Sequence, residues 1–483
     1  MPGDLNLLAR LLAYRDGRAQ RCASHLQVSI QDDGWVVCPI AMAGEDTTIH
    51  VVAYGRIGAP PSVRCVPDPR KRDDQYALFE GLCADLERYF ERCRVSGRFP
   101  QLWVSSGAVA GHLDTLADRL RYNQLNANVR RFGELLSYCT GRYPFDGQQT
   151  LVTATGALRL HWATGQQPAE DEHLGTLLAW IDPPAGASIQ DAVAAAERVP
   201  MGIKTDPEFD IAVLDPLVEV YDRATRGPGA SRAQAADAAR RIRRALEPVA
   251  LRVYEATQRA VALLQSSRLP ALPGLSEMER REAAEFDSFM QARDDGIRLS
   301  LRDRPRAAAF GLSAREEARE NVEAATVLGD RVARAKGRLT GRVVLGTVEN
   351  PRRVRLGPRS FEDRFDLRST QRILHVRLRD ELLAVDDTRL KVLVEEVRRD
   401  GTSTVLSLRL LAGQRAVGLP ATGASLELME KVPNWNHIWR VRGHLKKALG
   451  TTPWTHREDG PPVATPRGGV RPPDLLGAVD AFR

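Results

Sequence analysis

Residues 390–411 have the sequence LKVLVEEVRRDGTSTVLSLRLL. The runs at 390–398 and 402–411 both have strand character, with apolar side chains alternating with polar ones. Between them, residues 399–402 read Arg-Asp-Gly-Thr, and an Asp-Gly pair flanked by alternating runs is typical of a β-hairpin. This stretch therefore predicts two antiparallel strands at the centre of a β-rich domain.

Other runs with strand character lie on both sides of this hairpin, at 339–345, 372–379 and 425–429. Five short strands that close on one another form a small barrel of the oligonucleotide-binding (OB) or SH3 kind. We therefore predict a C-terminal barrel domain over residues 337–459, which includes a basic and tryptophan-containing extension. The Pro- and Gly-rich residues 460–483 are predicted to form a flexible tail.

The first 150 residues mix strand signals with helix signals. Strands are predicted at 35–40, 47–54, 62–66 and 101–105. Helices, marked by apolar residues at steps of three and four, are predicted at 73–94 and 110–122. The resulting order, β-β-β-α-β-α, indicates a mixed α/β domain over residues 1–150.

The middle of the chain is predicted to be helical. Residues 151–228 contain several prolines and predict a connecting region of short helices. Residues 230–336 predict a stalk of long helices, the second of which begins at Ser313 with Glu316 completing a capping box. A coiled-coil seam, with apolar residues at alternating steps of four and three, is formed by Ile242, Leu246, Val249, Val253, Ala256, Ala260 and Leu263. A plain helical bundle would account for the same pattern.

Composition narrows the class of protein. The 483 residues are 43% hydrophobic and 27% charged, which is ordinary for a globular protein and long enough for several domains. No run approaches the ~20 uncharged apolar residues of a membrane helix, and the N-terminus does not resemble a secretory signal. The six cysteines lie in the first third without any CxxC pair, so we expect reduced thiols and a cytoplasmic protein without membrane partners.

Positive charge is concentrated in one segment. Lys and Arg number 69 against 62 Asp and Glu, a net charge of +7, but residues 331–375 alone contain twelve basic and four acidic residues. Such a surplus is typical of a nucleic-acid-binding surface, although a solvated charged face is the open alternative. The candidate phosphate-binding residues are Arg338, Arg342, Arg352, Arg353, Arg355, Arg440 and Arg442.

Tryptophans follow the basic segment. Trp435 and Trp439 are candidates for stacking on bases, because aromatic faces combined with arginines bind single strands without reading sequence. Their spacing of four residues would equally suit a terminal helix fastened to the barrel. We therefore predict nucleic acid as a partner.

Two parts of the chain resemble known families. The element order of residues 1–150 resembles the ribonuclease H fold, including its DEDD-type exonuclease branch. Residues 242–263 and 313–332, taken as a stalk, and 339–429, taken as a barrel, resemble the accessory insertion of nonsense-mediated-decay-type superfamily 1 helicases. Residues 471–483, RPPDLLGAVDAFR, resemble the lead-in to the phosphate loop of such a motor.

The resemblance implies a bacterial accessory subunit. In that helicase family the barrel sits over the nucleic-acid channel, and some bacterial members carry a ribonuclease H-like domain ahead of it. No Walker loop occurs in this sequence, so the helicase or ATPase would be a separate partner protein. The implied role is DNA or RNA processing, with defence against mobile elements among its settings.

Two other functions stay open at this point. A divergent nuclease would use Glu45, Asp46, Glu80 and Asp114 to hold Mg²⁺, but the predicted first strand, 35–40, lacks the carboxylates that this chemistry requires. We therefore expect a catalytically degenerate domain, without catalysis, metal or cofactor. The other alternative is a structural scaffold whose heptad helix docks a partner.

Overall fold

The computed structural model describes residues 2–226, 230–297, 305–357 and 361–430. The chain divides into two compact units, one formed by Met1–Leu299 with Glu317–Val432 and the other by Ser300–Glu316 with Pro433–Arg483. Of the second unit, only residues 305–316, the start of a helix, are described. The fold below is that of the first unit.

Helices and strands alternate through the first half, and strands dominate from residue 343. The helices are α1 (Pro2–Asp16), α2 (Arg72–Val95), α3 (Gly107–Leu120), α4 (Ala127–Arg142), α5 (Ala154–His161), α6 (Leu174–Ile181), α7 (Ile189–Glu197), α8 (Pro207–Phe209), α9 (Asp215–Arg226), α10 (Arg232–Ser266), α11 (Leu275–Asp294), α12 (Pro305–Gly329) and α13 (Arg331–Thr340). The strands are β1 (Gln20–Arg21), β2 (Trp35–Ile40), β3 (Val51–Arg56), β4 (Ser62–Cys65), β5 (Leu102–Val104), β6 (Leu151–Thr153), β7 (Trp162–Ala163), β8 (Val343–Arg355), β9 (Phe361–Ser369), β10 (Glu381–Ala384), β11 (Lys391–Asp400), β12 (Ser403–Ala412) and β13 (Ser425–Glu430).

A five-stranded mixed sheet organises the N-terminal half, in the order β4-β3-β2-β5-β6. Strand β3 is antiparallel to both β2 and β4, whereas β5 is parallel to β2 and β6 is parallel to β5. The predicted order β-β-β-α-β-α is confirmed from β2 to α3, whereas α1 and β1, which precede it, were not predicted. The fifth strand, β6, lies beyond the predicted boundary at 150, so residues 151–228 continue this α/β domain rather than connect it to another.

Both faces of this sheet are buried by helices. Side chains alternate along each strand: Val52 and Leu102 face a core formed with α2, α3, α4 and α11, whereas Val51 and Trp103 face a second core formed with α5, α6, α9 and α10. A sheet covered on both faces has apolar residues on both, which is why its strands are almost continuously apolar. The result is a three-layer α/β/α domain.

Helix α10 differs from the predicted stalk. Its heptad residues Ile242, Leu246, Val253 and Ala260 are buried in the second core, against the sheet of their own chain. The pattern arises because a helix lying on a sheet needs an apolar stripe just as a coiled-coil helix does. The helix also continues through Pro248. The second predicted long helix corresponds to α12, which begins at Pro305 rather than at Ser313.

The β-rich region forms a closed antiparallel barrel of six strands, in the order β10-β11-β12-β9-β8-β13, with β13 pairing back to β10. The predicted hairpin is β11 and β12, joined at Gly401 with a φ of +61°. Strands β9 and β10 were not predicted. Conversely, residues 372–379 make no ladder, and the predicted strand at 339–345 is divided between the end of α13 and the start of β8.

Helices α12 and α13 join the barrel to the α/β domain. Ala325 of α12 packs with Leu272 and Leu275, whereas Ala324 of the same helix packs with Val343 and Met429 of the barrel. Helix α13 is tied to the last strand by an ion pair between Arg338 and Glu427. The barrel is therefore anchored on both α12 and α13.

Two expectations from composition can be compared with the structure. All six cysteines are free, and Cys38, Cys83, Cys93 and Cys139 are buried, as predicted for reduced thiols. Across the described ranges, no helix has the length and apolar composition needed to cross a membrane.

Candidate functional site

A cleft beside the β11–β12 turn is the most distinctive charged feature of the barrel. It lies between the segment that follows β9 and the turn end of the hairpin, and it has a volume of about 140 Å³. We call it the arginine cleft. It is lined by Arg372, Leu374, Val376, Val397, Arg398, Arg399, Thr404 and Leu406.

The hairpin register brings polar and apolar groups together in this cleft. Val397 pairs with Leu406, and Arg399 pairs with Thr404. Because cross-strand partners in an antiparallel pair lie on the same face, Val397 and Arg399 share the face of Leu406, a residue of the barrel core. From the other side, Leu374 and Val376 pack against that core without joining the ladder. The cleft therefore has an apolar floor and a basic rim.

The three arginines of the rim are exposed and carry uncompensated charge. No carboxylate among the described residues pairs with Arg372, Arg398 or Arg399, and none lines the cleft. The nearest acid in sequence, Asp400, instead accepts from Arg368, with Nη1 and Oδ2 2.8 Å apart. Guanidinium groups bind phosphate through two parallel hydrogen bonds, and an apolar floor suits the faces of sugars and bases.

Most other arginines of this region are neutralised. The structure gives ion pairs with carboxylates to Arg334, Arg338, Arg342, Arg352, Arg353, Arg364, Arg368, Arg389 and Arg409. Several of the acids, such as Glu323 and Glu427, lie outside the basic segment in sequence. The local surplus of charge is therefore much smaller in space than along the chain.

The arginines predicted to bind phosphate belong largely to this neutralised set. Arg338 pairs with Glu427 and Arg342 with Glu323. On the barrel, Arg352 lies 3.6 Å from Asp366 and Arg353 lies 2.9 Å from Asp363. Arg355 donates from Nε to the Gly357 carbonyl oxygen at 3.2 Å.

Four of the predicted nucleic-acid-binding residues belong to the part of the chain after residue 430. Trp435, Trp439, Arg440 and Arg442 lie outside the described residues. Contacts between phosphate and any of the predicted arginines stay predictions. The arginine cleft was missed from the sequence, although its signal is present as Arg398-Arg399 directly before the Asp-Gly turn.

The acids of the nuclease alternative are engaged separately. Glu45 pairs with Arg70 at 2.9 Å, and Asp46 with Lys204 at 3.1 Å. Glu80 accepts from the Asn126 side chain at 2.7 Å, and Asp114 is exposed on α3. Within the described ranges, no group of three or more His, Cys, Asp or Glu residues could hold a metal ion. The structure therefore does not bring these four acids together.

Comparisons of this chain with protein families, with curated proteins and with solved structures found no match.

Proposed function

We propose that this protein is a non-motor nucleic-acid-binding subunit that works with a separate superfamily 1 helicase or ATPase in DNA or RNA processing. The observation that carries the proposal is the arginine cleft, where Arg372, Arg398 and Arg399 surround an apolar floor without an acidic partner in the described chain. Arginines that a fold leaves unpaired over an apolar surface favour a phosphate-bearing ligand.

The architecture supports the finer parts of the proposal. The β-β-β-α-β-α order of the α/β domain agrees with a ribonuclease H-like assignment, and we propose that the domain is catalytically degenerate because β2 carries no carboxylate. The barrel has one strand more than the five of an OB fold. We propose that it nonetheless serves as an oligonucleotide-binding barrel.

Binding of nucleic acid across a salt series tests this proposal. We expect fluorescence anisotropy with labelled single- and double-stranded DNA and RNA to give an affinity that falls steeply with salt, because each neutralised phosphate releases counterions. Replacing one cleft arginine, Arg399→Ala, should make the negative slope of log K against log[salt] shallower by about 0.7 for single strands or 0.9 for duplex DNA.

A matched control separates the cleft from net charge. Arg389 is also an exposed barrel arginine, but its guanidinium lies 2.6 Å from Asp387. Arg389→Ala removes the same charge and should leave the slope close to that of the unmodified protein. Equal effects of the two substitutions, or no binding at low salt, would remove the arginine cleft from the proposed function.

The same experiment distinguishes the alternatives. An accessory subunit leaves the nucleic acid intact in the presence of Mg²⁺, whereas shortened product that Asp46→Ala abolishes would restore the nuclease alternative. No structural observation favours the scaffold alternative, because the heptad residues of α10 are covered by the chain's own sheet.

A further inference from the structure

A second cavity lies in the α/β domain and is lined by residues from the N-terminal third of the chain. It has a volume of about 320 Å³, within the range of small-molecule sites. Its walls come from the loop before β3, the first two turns of α2 and the end of α3. We call it the α2 cavity, and its lining includes Thr48, Arg70, Arg72, Tyr76, Phe79 and Arg119.

The walls of the α2 cavity are fastened to one another. Gln75 of α2 holds the β3 loop through both the amide nitrogen and the carbonyl oxygen of Ile49, at 3.1 and 2.6 Å. Asn123, after α3, donates to the Tyr76 hydroxyl at 2.6 Å, and Arg119 of α3 donates to Thr47 of the loop. The cavity is therefore formed before any ligand enters, which lowers the entropic cost of binding.

One end of the cavity is built for an anion. Arg72 and Arg119 have no carboxylate partner within the described ranges, and the third arginine, Arg70, shares its charge with Glu45 at 2.9 Å. Arg70 and Arg72 stand at the N-terminus of the 24-residue helix α2, where the helix dipole already favours negative charge, and Arg119 lies in the last turn of α3. The first turn of α2 also carries Asp73 and Asp74, but neither is among the residues that line the cavity.

A buried hydroxyl points to the same conclusion. Thr48 is only 8% exposed, and its Oγ1 atom, on a residue that lines the cavity, has no hydrogen-bond partner among the described residues. A buried polar atom without a partner costs free energy unless a ligand or water satisfies it. Together with the arginines, this hydroxyl could bind the oxygens of a phosphate.

The other end of the cavity is apolar and aromatic. Tyr76 and Phe79 follow each other along one face of α2, and the Arg72 guanidinium lies 5.9 Å from the centroid of the Tyr76 ring. Leu120 closes this end from α3. Aromatic and apolar side chains of this kind pack against planar rings.

We propose that the α2 cavity binds a nucleotide, with its phosphate held by Arg72, Arg119 and Thr48 and its base against Tyr76 and Phe79. The ligand is either a free nucleoside monophosphate or the 5′-phosphorylated end of a strand, since both present the same groups. This site is independent of the arginine cleft, because it lies on different elements.

Isothermal titration of the full chain with adenosine 5′-monophosphate tests the proposal. We expect binding that is at least tenfold tighter than that of adenosine or of inorganic phosphate, since each lacks half of the recognised groups. Arg72→Ala should weaken it by about tenfold to hundredfold, the range for losing one hydrogen bond to a charged group. Thr48→Val, which keeps the shape of the side chain, should weaken it by about threefold to tenfold.

Arg92 supplies a matched control on the same helix. It is exposed and lies 5.8 Å from the centroid of the Tyr89 ring, so Arg92→Ala removes the same type of contact outside the cavity. We expect Arg92→Ala to bind like the unmodified protein. No binding at millimolar concentration, equal effects of Arg72→Ala and Arg92→Ala, or adenosine binding as tightly as the monophosphate would overturn the proposal.

The source of the nucleotide is tested separately with 5′-phosphorylated and 5′-hydroxyl oligonucleotides. The Arg398→Ala/Arg399→Ala variant is used here, so that the arginine cleft does not contribute. A preference for the 5′-phosphorylated strand that Arg72→Ala removes identifies a strand end as the ligand. Binding of the free monophosphate without that preference identifies a free nucleotide, and failure of both ligands overturns the site without bearing on the barrel.

Discussion

Arg368 of β9 and Asp400 of β11 form an ion pair across the intervening strand β12, with the arginine Nη1 2.8 Å from the aspartate Oδ2. Arg368 also donates from Nε to Glu349 at 2.7 Å. Asp400 follows Arg398 and Arg399 directly in sequence. Because its carboxylate pairs with Arg368, it does not neutralise the two neighbouring arginines of the cleft. Arg368 thereby supports the arginine cleft without lining it.

Releasing Asp400 should weaken the binding of nucleic acid. In Arg368→Met, the Asp400 carboxylate loses this partner and competes with phosphate for the neighbouring arginines. We expect weaker binding in the salt-series anisotropy assay, and recovery of affinity in Arg368→Met/Asp400→Asn. Equal loss in the single and double variants would mean that Arg368 acts through its own charge rather than through Asp400.

The paired and unpaired arginines should differ in their contribution to the salt dependence. Arg398→Ala/Arg399→Ala removes two uncompensated charges, whereas Arg352→Ala/Arg353→Ala removes two that face Asp366 and Asp363. We expect the first double substitution to make the negative slope of log K against log[salt] shallower by about 1.4–1.8 and the second to change it much less. A decrease of the same size for both pairs would extend the interface along β8.

The ion pair between Arg142 and Glu282 should stabilise the attachment of α11. Both side chains are largely buried, and Glu282 also accepts from the Thr150 hydroxyl at 2.6 Å. Glu282→Ala leaves the arginine buried without its partner, for which we expect a loss of about 3–5 kcal/mol in the free energy of unfolding. Urea unfolding measures this loss.

An exposed acid on the same helix gives the control for that measurement. Glu277→Ala removes a surface carboxylate that pairs with Arg280, and surface pairs contribute about 0–1 kcal/mol. Similar losses in the free energy of unfolding for the two substitutions would show that the Arg142–Glu282 pair contributes no more to stability than a surface pair does.

Stability should fall in mild acid because of His50. Its side chain is fully buried, and burial lowers the pKa of His50 to about 4 from the ordinary 6.5, with the charge of Arg70 acting in the same direction. Below pH 6.5 the unfolded chain binds a proton that the native state does not. The free energy of unfolding therefore decreases by about 1.4 kcal/mol per pH unit for this group until the pH reaches about 4.

Urea unfolding at several values between pH 7.5 and pH 4.5 checks this expectation. Burial also lowers the pKa of His112 and of His161, so the total slope should exceed the contribution of one group. His50→Leu should reduce the slope by about 1.4 kcal/mol per pH unit, the contribution of one proton. An unchanged slope in His50→Leu would mean that His50 is protonated in the native state.

Local sequence patterns predicted which segments form helices and strands better than they predicted which other elements these pack against. The order from β2 to α3 follows from alternation and helical spacing, because those signals depend on neighbouring residues. The heptad of α10 did not reveal its partner, since a stripe such as Ile242 and Leu246 suits a sheet and another helix equally. The alternation of Leu374 and Val376 predicted a strand at 372–379. These two residues do pack on the barrel core, but their backbone does not pair with a neighbouring strand.

The candidate site was less predictable than the fold. Counting charge along residues 331–375 selected a segment that contains Arg372 but not Arg398 or Arg399. It also could not show which arginines are neutralised by acids from elsewhere in the chain. Glu323 and Glu427, the partners of Arg342 and Arg338, lie outside that segment. Which arginines line the cleft without an acidic partner depends on how the strands pair in the closed barrel. That pairing cannot be read from a count of charges along the chain.

The position of α10 and α11 has a consequence for synthesis of the chain. The sheet ends with β6 at Thr153, but its two faces are completed by α10 and by Phe286 and Met290 of α11. At ~5–20 residues per second, the ribosome needs on the order of 10 s to reach α11 after making β6. During that interval the nascent sheet exposes apolar faces. The N-terminal half of this protein therefore cannot complete its core, or must be shielded, until residues more than a hundred positions later have emerged.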